Sequence, residues 1–145
     1  VLEPDFVERH VAAITDDPRL GIVWAPAVYF ATEPDIERRD LVGQLVATQP
    51  WNLGDVASST SIHCSALVRR AALEDVGWCV AAEREEDRAT WIAIARAGWT
   101  GTNIGMPPAL HYRLHSGGSR NFGTDHRREG LTAASAAIVP QESPR

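Results

Sequence analysis

Three carboxylates stand side by side at Glu85-Glu86-Asp87, the densest acidic run in the chain. An aspartate with its ordinary pKa of about 3.9 is ionised at neutral pH and can accept a proton, so a carboxylate at the mouth of a site can serve as a general base. The same run also reads as a helix start, where acids interact favourably with the helix dipole. His111 and His115 are four residues apart, a spacing that would suit zinc on one face of a helix. Their segment reads as a strand, however, and there the two would lie about 13 Å apart along the chain. A two-histidine zinc site is not expected, which leaves a single imidazole as one ligand of a divalent ion.

His63 and Cys64 resemble a nucleophile–base pair only by adjacency, because neighbouring residues on a strand face opposite ways. His63 is expected to be buried. Arg69-Arg70 could clamp a phosphate or a carboxylate, or could simply end a strand in solvent. Of the five tryptophans, Trp24, Trp91 and Trp99 are expected in the core, whereas Trp51 and Trp78 fall in loops where an indole face suits a sugar ring. Gly117-Gly118 has no helix after it and reads as a turn, not a phosphate cradle.

Composition removes several chemistries. All fourteen basic residues are arginine, a usage that fits a high-GC genome, so a lysine Schiff base and a P-loop are both excluded. A net charge of −5 gives no basic face for nucleic acid. No apolar run reaches the roughly 18–20 residues of a spanning helix, so no membrane span is expected. Cys64 and Cys79 match no metal or redox spacing and read as buried thiols of a reducing compartment. The chain opens VLEPDF, with no Met and no signal-peptide pattern, and is expected to be a piece of something longer.

The elements that must position these groups alternate. Residues 4–17 read as a helix with Val7, Val11 and Ile14 on its inner face. Residues 21–30 read as one buried strand with Pro26 at a bulge or end. Ile36, Leu41 and Leu45 could line a helix. Residues 62–68 read as a strand, residues 70–76 as a short helix capped by Gly77, and residues 85–97 as the clearest helix, stopped by Gly98. Two more strands are expected at 99–104 and 109–115, and one helix within 124–138. The alternation predicts an α/β fold, a mixed sheet flanked by helices.

Three motifs in this order resemble family 2 glycosyltransferases of the GT-A fold. They are SALVRRAALEDVGW (65–78), EEDRATWIAIARAGW (85–99) and ALHYRLH (109–115). The opening VLEPDFVERHVAAITDDPRLGIVWA is similar to the stretch that follows the family's metal-binding DxD motif. The resemblance covers about residues 1–120 as the C-terminal, acceptor-side part of a Rossmann-like GT-A domain, with 121–145 as a C-terminal helix or flexible tail. It implies an inverting transfer of sugar from a nucleotide-sugar donor to a hydroxyl of a glycan or lipid-linked acceptor, as in bacterial cell-surface polysaccharide synthesis. Asp87, with Glu86 beside it, would be the catalytic base. His115 would help hold Mn2+ or Mg2+, and Ser65, Arg69, Arg70, Trp78 and Trp91 would line the substrate side. The setting implied is cytoplasmic, with a peripheral place at the inner face of the plasma membrane open to it.

Two departures from the family stand out. No donor-binding half or DxD precedes Val1, and the loop SSTSIHC (58–64) lacks the glycine often found there. The isolated fragment is therefore expected to be inactive. Two other readings compete: a non-catalytic carbohydrate- or protein-binding remnant of the same fold, and a small metal hydrolase built on His111 and His115.

Overall fold

A computed structural model of the chain describes residues 1–32, 39–52, 54, 56, 62–78 and 86–114. Glu85, Cys79, His115, Ile36 and the expected 121–145 segment lie outside the described residues.

Helix α1 spans Phe6–Asp16, close to its expected bounds, but its inner face differs from the expected one. Phe6, His10 and Ile14 are buried, whereas Val7 and Val11 are 61% and 45% exposed. The buried stripe runs one residue earlier and includes a histidine that hydropathy does not count as apolar. His10 earns that place by stacking on Phe6 at 4.0 Å between ring centroids and donating Nδ1–H to the Phe6 carbonyl at 2.6 Å.

The run expected as one strand is two, β1 (Leu20–Trp24) and β2 (Ala27–Ala31). Pro26 has no N–H to offer a ladder, and the chain changes sheet there. A 3₁₀ turn at Arg39–Leu41 and the two-residue β3 (Leu45–Val46) replace the helix suggested by Leu41 and Leu45, with Gly43 at φ +84° turning the chain between them. In the next segment only Leu67–Val68 (β4) is extended; His63–Ala66 is a turn closed by Ala66 N–H on the His63 carbonyl at 3.2 Å. Helix α2 (Arg70–Asp75) is followed by Gly77 and Trp78, both at left-handed φ, +73° and +71°. Helix α3 (Glu86–Arg96) has its acids first and its arginine last, as the dipole favours, and ends before Gly98 at φ +92°. Strands β5 (Thr100–Asn103) and β6 (Leu110–Leu114) complete the described residues.

The fold class is α/β, as the alternation predicts, and the described residues form two three-stranded mixed sheets instead of one. Their orders are β4-β1-β5 and β3-β2-β6, and in each the long pair is parallel while the short strand is antiparallel. Both long strands break at the same level. Ile104 N–H bonds Trp24 O at 2.8 Å and Ala109 N–H bonds Pro26 O at 3.0 Å, so two residues on one side face a proline-bearing loop on the other.

Ile22 and Trp24 of β1 pack with Ala72 of α2 and Trp91, Ile92 and Ile94 of α3 in the main core, joined by Ala47, Val56 and Ile62. Gly101 lies directly under the indole of Trp51, so close that a side chain would collide with it. Helix α1 packs on β1 and β4 over a smaller cluster of Phe6, Ala25 and Ala109. No helix among the described residues is long and apolar enough to cross a membrane.

Candidate functional site

Strands β1 and β5 run in the same direction and end at Trp24 and Asn103. Since β4 pairs antiparallel, with Val23 opposite Leu67, the turn His63–Ala66 that leads into β4 sits at that same carboxyl end. Helix α3 feeds β5 from behind, which brings its first turn, Glu86 and Asp87, back to this end as well. Open α/β sheets bind ligands outside the carboxyl ends of their strands, so this is where a site is expected. The rim is closed by Ala47, at φ +58°, whose carbonyl accepts from Trp24 Nε1 at 3.2 Å and from Asn103 Nδ2 at 2.8 Å.

Asp87 is half-buried there, and its Oδ1 accepts from the Arg88 amide at 2.8 Å, which fixes the direction of the carboxylate. Glu86 is exposed beside it. His63 is half-buried rather than fully buried, donating from Nε2 to the Ala25 carbonyl at 2.9 Å and accepting the Ser65 amide on Nδ1 at 3.2 Å. Its pKa is pushed down, chiefly by burial; the bond to Ala25 opposes this, the positive form of His10 adds to it, and the Asp87 carboxylate opposes it. That last interaction places Asp87 and the His63 turn within electrostatic reach of each other. Cys64, at the tip of the turn, is exposed and free, contrary to the expected buried thiol, because the turn carries it out of the sheet.

Arg69, Arg70 and Trp78 lie at the other end. The Arg69 amide bonds Gly21 O at 2.8 Å, and its guanidinium donates to the carbonyls of Leu20 at 2.7 Å, Asp17 at 3.1 Å and Ile14. It ties the end of α1 to the start of β1. Arg70 pairs with Glu74 at 2.8 Å and sits 5.8 Å above the Trp78 ring, which is 50% exposed. Of the expected site residues, Asp87, Glu86 and Ser65 therefore converge, while Arg69, Arg70 and Trp78 form a second group across the sheet. Trp91, one turn after Asp87 on the same helix face, is 6% exposed within the core, and its buried Nε1 has no hydrogen-bond partner among the described residues.

No family model matches the chain, and no curated protein matches it.

Among the described residues no three His, Cys, Asp or Glu side chains gather into a group that could hold a metal ion. His111 lies on β6, a strand as its segment reads in the sequence, and His115 lies outside the described residues. Instead, His111 Nε2 meets Glu3 Oε1 at 2.5 Å at the edge of a shallow depression of about 520 Å³ lined also by Asp5, Arg9 and Pro107. That imidazole and carboxylate satisfy each other, and the depression holds no residue of the Asp87 group. Two participants were not foreseen in their present roles, His10 and His63. For His63 the sequence carries a signal: an acceptor side chain two residues before Ser65 can capture its amide as an aspartate or asparagine does in a side-chain-closed turn.

Proposed function

We propose that this chain forms the acceptor side of an inverting glycosyltransferase of Rossmann-like, GT-A type, with Asp87 as the general base. The observation that carries the reading is the placement of Asp87. A half-buried, directed carboxylate stands at the carboxyl end of a parallel strand pair, beside the turn that holds Ser65. The ordered motifs noted in the sequence support the same assignment.

In this reading the acceptor hydroxyl gives its proton to Asp87 as its oxygen attacks the anomeric carbon. The bond from that carbon to the diphosphate breaks with its electron pair, releasing nucleoside diphosphate and inverting the configuration. Glu86, exposed next to the base, faces the incoming acceptor. Arg69, Arg70 and Trp78 stand too far round the sheet to share one sugar with Asp87, and act on a longer acceptor or on none. The donor site belongs to residues that the resemblance places ahead of Val1. The metal expected with His115 finds no ligand set among the described residues, so the described residues support no step through it.

The test is a panel of nucleotide-sugars incubated with the natural protein that carries this sequence, reading released nucleoside diphosphate. Asp87→Asn should lower turnover by about 10²–10⁴-fold, the usual contribution of a general base, with thermal unfolding unchanged. Equal rates in the two proteins would remove Asp87 from the chemistry. No turnover of any donor, with sugar binding retained, would favour the non-catalytic carbohydrate-binding reading.

A further inference from the structure

His63 contacts two backbone groups that can each play only one part. The Ala25 carbonyl can only accept, so Nε2, 2.9 Å away, carries the hydrogen. The Ser65 amide can only donate, so Nδ1, 3.2 Å away, keeps its lone pair. One neutral ring, protonated on Nε2, satisfies both and ties the end of β1 to the turn His63–Ala66. A proton added at Nδ1 would aim one N–H at another. The tie to Ala25 would survive and the tie to Ser65 would not.

We infer that His63 is a positioning residue: as a neutral ring it latches the Ser65 turn to β1 on the Asp87 side, and one proton on Nδ1 releases the latch. The groups facing the ring come from two helices. From α3 the Asp87 carboxylate attracts the proton; from α1 His10 opposes it when charged, and burial opposes it more than either. His10 is itself fully buried, with no partner for Nε2 among the described residues; burial most disfavours its protonation, the Phe6 carbonyl favours it, Arg9 disfavours it and Asp5 favours it. Release therefore occurs on the acid side of the ordinary histidine range, about 6.5. Its consequence for sugar transfer, an acceptor side that loosens in acid, rests on the reading of Asp87 as base.

The test is a pH series by ¹H–¹⁵N NMR on the chain from pH 8 to 4.5, following the His63 ring nitrogens and the Ser65 amide. At pH 7.5 the ring should carry hydrogen on Nε2 alone. Through the midpoint of His63 the Ser65 amide should lose about tenfold in exchange protection, while Leu67, whose amide faces β1 opposite Val23, stays protected. In His63→Asn an amide oxygen takes the place of Nδ1 and does not titrate, so Ser65 should stay protected throughout. Asp87→Asn should move the His63 midpoint further into acid. The inference is overturned by hydrogen on Nδ1 at pH 7.5, by a Ser65 amide indifferent to the His63 midpoint, or by the same pH step in His63→Asn. A His63 midpoint unmoved by Asp87→Asn would separate the latch from the base and overturn it as well. Since no substrate enters this measurement, its failure and the failure of the transferase assay are read separately.

Discussion

Replacing Arg69 by Met keeps an unbranched stem of similar bulk and removes every donor. Three carbonyls then lose a charged partner: those of Ile14 and Asp17 at the end of α1, and that of Leu20 at the start of β1. Helix α1 ends at Asp16, so the Ile14 carbonyl is one of the four that the helix itself leaves unpaired. A hydrogen bond to a charged group contributes about 1.5–3 kcal/mol net, but acceptors in this half-buried position can recover part of that from water. Crediting the triad with one unreplaced bond, plus roughly 0.5–1 kcal/mol for a cation at a helix C-terminus, gives a loss of about 2–4 kcal/mol. On a chain of this size that corresponds to roughly 6–12 °C in Tm. Urea unfolding at pH 7 followed by tryptophan fluorescence measures it, because Trp24 and Trp91 are buried in the main core. Arg69→Lys should recover less than half, since one ammonium cannot reach three carbonyls on two elements. A loss below about 0.5 kcal/mol would refute the argument, for it would mean that solvent replaces all three bonds and that the guanidinium is available for a ligand after all.

Stability should fall in mild acid. His10 and His63 both titrate below their ordinary 6.5, mainly through burial, so between 6.5 and their folded values the unfolded chain binds protons that the folded chain does not. The stability present above pH 6.5 is then lost as pH drops through those folded values, and a urea midpoint constant between pH 7.5 and 5 would contradict this. Asp17, whose carboxyl is held down by Arg19, acts only below its ordinary 3.8 and does not enter that window. Gly101→Ala should cost about 1–3 kcal/mol, because the new methyl would stand 2.7 Å from Trp51 Cζ3 and 3.1 Å from Trp24 Cζ3. Differential scanning calorimetry checks this, and an unchanged Tm would show that the Trp51 ring yields freely.

What could be read in the sequence is what neighbours along the chain decide. Helix α3 announces itself, since its acids, its Trp91–Ile94 stripe, Arg96 and Gly98 all lie within one short segment and agree. Gly77 marks the end of α2 for the same reason. The inner face of α1 could not be read, because His10 is apolar only after Phe6 and the sheet have covered it. Nor could the division into two sheets, which depends on Pro26 falling opposite the loop before Ala109, some eighty residues away. The candidate site divides along the same line. Asp87 at the start of a helix feeding a parallel strand is a local pattern, and its position follows from topology. Arg69-Arg70 follows β4 by sequence alone, but nothing local says in which direction β4 pairs, and only its antiparallel pairing with β1 sends the two arginines away from Asp87.

The single stretch Thr100–Leu114 supplies the parallel partner of β1 and, after its loop, that of β2. Each sheet is therefore closed by residues about eighty positions downstream of the strand they join. Pairings at such separation pay a large chain-closure entropy before any hydrogen bond repays it, and they set the pace of folding. During synthesis the β4-β1-β5 sheet cannot be completed until residue 103 has left the ribosome, nor the β3-β2-β6 sheet until residue 114 has, only eleven residues later. The two sheets are distinct in the finished fold yet wait on one short stretch of chain, and a chain interrupted before Thr100 would complete neither.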